Sequence, residues 1–427
     1  MTPATSFSGS RSMSVVGWLH HLALAPIVAG LIVSVAVGKY GGGSGAADDP
    51  YLIRTAGDLD LLGSSQDDWN KSFRLMADID LKDCNETNFH LIGYWVSWGD
   101  ATNRPFNGIF DGNGRTISNF RYRDMKGNGI GLFRYVNVGE IKNLRLKNVK
   151  IVTDGVDIGS LVGYFGGGAV VDCHVAGADV TGNTQVGGLI GSADGIVSQC
   201  SCRGRVAGIL RVGGLIGDVG QGTIKRSYSK ASVSGNDSVG GLVGITLNQV
   251  SVVDSCYANG SVNGGVYAGG LAGQVVAGRV YRCYSTGAVS GSQSIGGLVG
   301  NKKVLGDVIV SFWDAQTSGW TTSAGGMPRT TAEMWAASTF SGWDFDLTWS
   351  ICEGGNYPVL WWQVPTADLR CPDGVNGADF VRFAMQWERN DCGAVNWDCD
   401  WTDFDGSGAV GFPDLAILAE EWLTGMY

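Results

Sequence analysis

The chain has 427 residues and a formal net charge of −10, and 16% of its residues are charged. This acidic balance argues against a nucleic-acid-binding protein, because phosphate groups require a basic surface. The length suffices for a large core and one small additional module. The 68 glycines indicate a chain that turns often, since an average protein has about 7% glycine.

The N-terminus has the pattern of a secretory signal peptide. Arg11 precedes an apolar stretch at residues 22–37, and the small residues Ala36 and Gly38 suit a cleavage site. We therefore predict that residues 1–38 are a signal peptide, that the mature chain has no membrane span, and that it is secreted or held at the cell surface. A retained membrane anchor is the alternative, because the apolar run from Val15 approaches the length of a span.

Residues 39–157 are predicted to form an N-terminal cap and the first rungs of a β structure. Asp111-Gly-Asn-Gly114 offers alternating oxygen ligands for a cation, but two glycines in four residues favour a tight turn. Asp78 and Asp80 face the same side of a strand. A solvated strand face is favoured there over a pair of catalytic carboxylates.

Residues 158–310 contain one motif six times, as IGSLVG, VGGLIG, VGGLIG, VGGLVG, AGGLAG and IGGLVG. The copies end at Gly163, Gly191, Gly217, Gly244, Gly273 and Gly300. A second landmark follows each copy in phase, at Cys173, Cys200, Ser227, Cys256, Cys283 and Ser311. Two landmarks that keep one period indicate stacked structural units.

The repeated unit predicts strands and corners. Short runs of Val, Ile, Leu and Tyr alternate with Gly, Asn, Asp and Ser, and no unit contains a ten-residue helical pattern. We predict a mainly β protein, a right-handed parallel β-helix (β-solenoid) of about 27-residue rungs. Its glycines would fall where the backbone turns sharply or takes a positive φ. A β-propeller is the alternative, but its blades are longer and need four strands.

The ten cysteines divide into two groups. In the repeat, Cys173, Cys200, Cys256 and Cys283 share one column with serine. A stack of small buried residues is favoured there over disulfides between rungs, because parallel side chains rarely point at one another. Near the C-terminus a disulfide is more plausible, among Cys371, Cys392 and Cys399 with Cys352 or Cys84. Their connectivity cannot be derived from the sequence.

Residues 311–364 are predicted to close the solenoid and include Ser311-Phe-Trp-Asp314 and Tyr357-Pro-Val-Leu-Trp-Trp362. The chain resembles secreted GLUG-motif repeat proteins of the planctomycete-like bacterial type. The resemblance rests on these two closing motifs, the repeated Gly-Gly-Leu-Val-Gly, Asp49-Pro-Tyr-Leu-Ile53 and Phe110-Asp-Gly-Asn-Gly-Arg-Thr-Ile117. The resemblance covers residues 41 to about 362 and implies an exported β-helix. GLUG repeats also accompany the zinc peptidase domain of immunoglobulin A peptidases, so the resemblance alone does not separate enzyme from non-enzyme.

Residues 365–427 are predicted to form a small helical module with a calcium site. The segments 379–387 and 414–422 align 35 positions apart, and each has an apolar stripe of helical spacing. Ahead of the second segment, oxygen donors alternate around a glycine turn, as Ca²⁺ requires. The predicted metal ligands are Asp403, Asp405, Ser407, the Ala409 carbonyl and Asp414.

This duplicated arrangement is similar to a dockerin, which carries twin EF-hand-like loops. The resemblance implies that the helices dock to a cohesin-like or cell-surface protein. The first copy departs from the pattern: Asp373-Gly374 fits only with one residue deleted, and the first and third ligand positions then lack a carboxylate. We expect a degenerate first loop and a weak second site, of order 10⁻⁴ to 10⁻³ M.

Catalytic signatures are scarce. Of four histidines, His20 and His21 lie in the predicted signal peptide, and His90 and His174 lack the spacing of a zinc-binding helix. We predict no catalytic residue. The favoured function is a non-catalytic surface protein in adhesion, which binds a polysaccharide or a protein and carries a calcium-dependent docking module. The alternative is a carbohydrate-active β-helix enzyme, a polysaccharide lyase or glycoside hydrolase, tethered through that module.

Overall fold

A computed structural model of the protein describes residues 39–422 except 85, 88, 370, 372 and 394–396. It is a parallel β-solenoid of about 7 turns with rungs of about 28 residues, followed by a few C-terminal helices. The predicted fold class is therefore confirmed. The predicted signal peptide, residues 1–38, lies outside the described residues. Within the described part, no helix has the length and apolar content that crossing a membrane requires.

The strands of the solenoid pair in parallel with their equivalents one rung away. The described strands before the repeats are Tyr51–Ile53, Ser72–Leu75, Ile79–Asp80, Ile109–Asp111, Thr116–Ser118, Arg121–Arg123, Phe133–Val136, Glu140–Lys147, Lys150–Val152 and Val156–Ile158. Those of the repeats are Val162–Phe165, Ala169–Thr181, Thr184–Gly187, Ile190–Ala193, Ile196–Ser198, Ser201–Ala207, Leu210–Gly213, Ile216–Val219, Thr223–Lys225, Tyr228–Ser229, Ser232–Gly240, Val243–Thr246, Val252–Asp254, Tyr257–Ala258, Val262–Gly269, Ala272–Tyr281, Tyr284–Ser285, Val289–Ser290, Gln293–Gly296 and Val299–Ile309. Phe312–Asp314 and Met327–Arg329 follow, and Trp349–Ser350 pairs antiparallel with Val359–Leu360.

Helices lie at the two ends of the chain. A helix at Ala56–Ser64 and a 3₁₀ turn at Gln66–Asp68 belong to the N-terminal cap. The closing segment has short turns at Ala315–Ser318, Thr331–Met334, Ala337–Phe340 and Trp361–Gln363. The C-terminal module has the first module helix, Gly377–Met385, and the second module helix, Phe412–Glu420. Between them Trp397–Trp401 forms a turn with positive φ at Asp398, Cys399 and Asp400.

The repeated motif is a corner between two core strands. Its leucines form a fully buried column: Leu161, Leu189, Leu215, Leu242, Leu271 and Leu298 are all 0% exposed. The last glycine of each copy faces the backbone of a neighbouring rung. At Gly217, an added Cβ would lie 2.5 Å from Gln185 C and 2.5 Å from Val186 N. Glycine is thus required there by close backbone approach.

Left-handed corners fall on other residue types, which the sequence did not predict. One column with φ between 50° and 60° consists of Asp157, Gln185, Arg211, Ser238, Tyr267 and Ser294. A second, with φ between 46° and 54°, consists of Asn143, Asp172, Gln199, Arg226, Ser255, Arg282 and Val310. The glycines that end the motif copies are not among the residues with positive φ. Of the two expected roles, these glycines therefore serve the sharp turn and not a positive φ, and close packing is the physical reason for them.

The cysteine column of the repeat is a stack of reduced, buried residues. Cys173, Cys200, Cys256 and Cys283 are free. The thiol of Cys200 donates to Ser198 O at 3.2 Å, and the hydroxyl of Ser227 donates to Lys225 O at 2.8 Å. Cysteine and serine therefore fill the same role, a short side chain that donates to the carbonyl two residues earlier.

The closing segment folds back along one face of the solenoid. Tyr228, Tyr257 and Tyr284 occupy equivalent positions on successive rungs and stack with ring centroids 4.9 and 5.0 Å apart. A second apolar cluster covers the later rungs of this stack and includes Phe340, Trp343, Trp349 and Leu360. The hydroxyl of Tyr284 donates to Pro358 O at 2.6 Å. The segment therefore leaves only the earlier rungs of this face open.

Two disulfides lie in the C-terminal part of the chain. Cys352 of the closing segment is bonded to Cys371, and Cys392 is bonded to Cys399. Cys84 is free. A separate small core holds the module together, with Ala367, Val375, Phe383, Cys399, Val410 and Leu418 buried in it.

Candidate metal loops and a basic groove

The second acidic loop, residues 403–414, gathers the carboxylates that the sequence pointed to. Oxygens of Asp403, Asp405 and Asp414 all lie within 4.8 Å of one another. Two oxygens that share one Ca²⁺ are at most about 5 Å apart, since each bond is 2.3–2.6 Å. The hydroxyl of Ser407 donates to Ala409 O at 3.2 Å, so the other two predicted ligands are also neighbours in this loop.

The first acidic loop, residues 368–379, has the same kind of cluster. Oxygens of Asp368, Asp373 and Asp379 lie within 4.8 Å of one another. Sequence reasoning missed Asp368, because it aligned Asp373-Gly374 with the glycine turn of the second loop. Counting 35 residues back from Asp403 finds Asp368. The statement that the first ligand position lacks a carboxylate was therefore wrong.

Equivalent backbone contacts show that the two loops are copies. Asp414 accepts from the N–H of Phe404 at 2.7 Å and of Gly411 at 2.8 Å. Asp379 accepts from the N–H groups 35 positions earlier, Leu369 at 2.8 Å and Asn376 at 2.9 Å. Both carboxylates are buried, at 1% and 0% exposure. Each one caps its module helix and ties the start of its loop to that helix.

The residues of the first acidic loop fit a cation. Oδ1 of Asp368 is buried and has no hydrogen-bond partner among the residues that the structure describes. Burial, with the nearby charges of Asp379 and Asp373, raises the pKa of Asp368 to about 7. A buried carboxylate oxygen without a partner costs free energy, and a bound cation would remove that cost. The second loop differs, because both oxygens of Asp403 accept backbone N–H groups, from Ser407 and Gly408.

The two acidic motifs near the N-terminus are structural. Asp111 accepts the N–H of Asn113 at 2.9 Å, and Asn113 and Gly114 have φ of 52° and 69°, so this segment is a tight turn. Asp78 accepts the N–H of Thr116, whereas Asp80 accepts from Lys82 and Asn119. The turn is as expected, whereas only Asp80 lies on a strand, Ile79–Asp80, and Asp78 precedes it; both side chains are exposed.

A cavity of about 620 Å³ opens on the face that the closing segment leaves uncovered. We call it the basic groove. Its lining includes Arg145, Lys147, Asp172, His174, Ser201, Arg203, Tyr228, Lys230 and Trp362. Arg145, His174, Ser201 and Tyr228 stand in one register row across four rungs. Sequence reasoning missed this groove, because its walls come from rungs far apart in sequence.

The floor of the basic groove contains a chain of polar contacts. Nε2 of His174 lies 2.8 Å from Asp172 Oδ1, and Nδ1 lies 2.8 Å from Ser201 Oγ. Burial lowers the pKa of His174, although the hydrogen bond to Asp172 opposes this shift. With the neutral ring donating from Nε2 to Asp172, Nδ1 accepts the Ser201 hydroxyl. His174 thus has a carboxylate and a hydroxyl as partners, which the sequence did not indicate.

Comparisons with known proteins do not assign the chain to a family. No protein-family model matches the chain. Halomucin of Haloquadratum walsbyi is 32% identical over 344 residues, which cover 77% of this chain and 3% of halomucin. A "Putative Gly-rich membrane protein" of Evansella cellulosilytica is 31% identical over 426 residues, covering 75% of this chain and 45% of that protein. The chain thus spans less than half the length of either curated relative.

One solved structure is also similar. It is described as a "putative immunoglobulin A1 protease" from Bacteroides ovatus. It has a TM-score of 0.48 and 20% sequence identity, and the match covers 76% of this chain and 96% of that chain.

Proposed function

We propose that this protein is a non-catalytic binding solenoid of the cell surface or extracellular space, resembling GLUG-repeat proteins, with a calcium-dependent docking module. The observation that carries the proposal is the pair of acidic loops. In each loop three carboxylate oxygens lie within 4.8 Å, and each loop leads into a capped helix. Bound Ca²⁺ would neutralise these carboxylates and hold the two module helices in a fixed geometry.

Disulfides and relatives support an extracellular location. Cys352–Cys371 and Cys392–Cys399 are of the kind that persists in oxidising environments. The names of the similar proteins, halomucin and a Gly-rich membrane protein, also fit a surface location.

Exposed apolar side chains on the module support docking to a partner. Six large apolar residues of the module are 41% to 77% exposed: Phe380, Val381, Met385, Trp401, Phe412 and Trp422. Exposed apolar patches of this kind mark protein interaction surfaces. The dockerin resemblance indicates a cohesin-like or other cell-surface protein as the partner.

Calcium titration of the purified protein tests the proposal. With a Kd of order 10⁻⁴ M, Ca²⁺ at 100 times Kd should stabilise the module by about 2.7 kcal/mol per site. Asp403→Ala should remove the stabilisation from the second loop and Asp368→Asn that from the first. Asp307→Asn, an exposed carboxylate on a solenoid strand, is the control. If Ca²⁺ raises the unfolding temperature of the wild type no more than Mg²⁺ does, the docking proposal fails.

One observation favours the alternative of a carbohydrate-active enzyme. The basic groove holds a carboxylate and a Lys beside aromatic rings, in the form of Asp172, Lys230 and Trp362. Against catalysis, Ser201 is only 6% exposed, and Asp172 is engaged by both His174 and Arg145. Release of new reducing ends from a polysaccharide panel would establish the enzyme and overturn the non-catalytic proposal.

A further inference from the structure

We propose that the basic groove binds an acidic polysaccharide, a sugar polymer with carboxylate or sulfate groups, laid along the solenoid axis. The inference rests on the proposed function of a binding solenoid and assigns its ligand class and its site. Three features of the groove support it: its charge, the spacing of its cations and its aromatic end wall.

The charge of the groove is opposite to that of the chain. The chain carries −10. Four cations, Arg145, Lys147, Arg203 and Lys230, line the groove with one carboxylate, Asp172, which gives a formal charge of +3. Such a local reversal of sign attracts an anionic ligand to this face.

The cations follow the axis of the solenoid. One register row contains Lys147, Ala176 and Arg203. Ser201 is paired with Tyr228 on the next rung, so Lys230, two residues after Tyr228, follows Arg203 in the same row. Neighbouring rungs are about 4.8 Å apart. A linear polymer along this row therefore meets Arg203 and Lys230 on adjacent rungs and Lys147 two rungs before Arg203.

Burial affects two cations of the groove. The pKa of Lys230 is lowered, first by burial and second by the charge of Arg203. Nη1 of Arg145 is buried and forms an ion pair with Asp172 at 3.5 Å. An anionic group in the groove would stabilise the charged form of Lys230, because it supplies the opposite charge.

The end wall is an aromatic platform held in place. Trp362 lies over Tyr228 with ring centroids 5.6 Å apart and over His174 at 5.0 Å. Its indole N–H donates to Arg226 O at 2.9 Å. Because the ring is already positioned, an apolar sugar face can pack on it with little loss of side-chain entropy.

A sugar polymer fits these features better than a nucleic acid. The basic groove spans five rungs of an acidic protein, so a densely charged phosphate backbone leaving the groove would be repelled by the rest of the surface. A polysaccharide with sparser charges meets less of this repulsion, and its rings suit the Trp362 platform.

Isothermal titration of the full chain tests the assignment. The probes are a polygalacturonate oligomer, a heparin oligomer, a neutral dextran oligomer and a single-stranded DNA oligonucleotide, each at two salt concentrations. We expect binding of one or both acidic sugars, weaker at the higher salt concentration, and no binding of dextran. Arg203→Ala and Lys230→Ala should each weaken it by about tenfold or more. Lys303→Ala, an exposed cation outside the groove lining, should leave it unchanged.

Several results would overturn the assignment. These are binding of dextran as tight as that of the acidic sugars, equal or tighter binding of DNA, or acidic-sugar affinity that Arg203→Ala and Lys230→Ala do not change. The Ca²⁺-induced shift in unfolding temperature is recorded on the same samples. If that shift is present and no acidic sugar binds, the groove assignment fails while the docking proposal stands. If an acidic sugar binds and the Ca²⁺-induced shift is absent, the groove assignment stands while the docking proposal fails.

Discussion

Gly217→Ala tests whether the repeated motif is fixed by close backbone packing. The added methyl group would lie 2.5 Å from Gln185 C, 2.5 Å from Val186 N and 2.7 Å from Gly191 O. All three are backbone atoms of the neighbouring rung, so no side chain can rotate away. Inserting a methylene into a packed core costs about 1–3 kcal/mol. We expect Gly217→Ala to reach or exceed the upper end of this range, because two stacked rungs must separate.

Guanidinium unfolding followed by far-ultraviolet circular dichroism measures this cost. Gly57→Ala is the matched control, because Gly57 lies in the N-terminal helix and its added Cβ would meet only Thr55 Oγ1, at 3.7 Å. Alanine in a helix is favoured over glycine by about 0.5–1 kcal/mol, so the control should be neutral or stabilising. If Gly217→Ala unfolds within about 0.5 kcal/mol of the wild type, the packing argument is refuted.

Three further predictions concern buried polar groups. Burial raises the pKa of Asp157 to about 6, so its carboxylate contributes stability at low pH that is lost as pH rises through 6. Asp157→Asn should therefore remove up to about 3 kcal/mol of the difference in unfolding free energy between pH 4 and pH 7.5, and an unchanged pH profile would contradict this. Tyr284→Phe should lower the free energy of unfolding, measured in urea, by about 1–3 kcal/mol, because it leaves Pro358 O buried without its donor. A smaller loss of unfolding free energy would show that water replaces the hydroxyl. In Ellman titration at most Cys84 should react in the folded protein, because the other free thiols are buried and burial raises the pKa of Cys202 to about 12. Six thiols should react after unfolding, and rapid labelling of more than one thiol in the folded protein would contradict the burial.

The period of the solenoid was predictable because each rung repeats its own landmarks. Leu189 and its equivalents recur in phase with the cysteine and serine column, so the stacking could be derived without any long-range contact. The acidic loop at 403–414 was predictable for a similar reason, since its oxygen donors alternate within one short segment.

The parts that escaped prediction depend on contacts between distant residues. Trp362 reaches Arg226 across 136 residues, and no local pattern marks that contact. The chain from Asp172 through His174 to Ser201 joins neighbouring rungs, so it appears only when the register is known. Asp368 was hidden because Arg370 and Pro372, at the two alternate positions after it, are not oxygen ligands.

The disulfide between Cys352 and Cys371 determines where a pulling force enters the solenoid. If the module docks to a partner as proposed, a pulling force on it would pass through this bond and bypass the intervening chain, over a separation of 19 residues. Trp362 and Gln363, which end the basic groove, lie in the bypassed stretch. Under such a force the end wall of the groove would carry no tension through its own backbone.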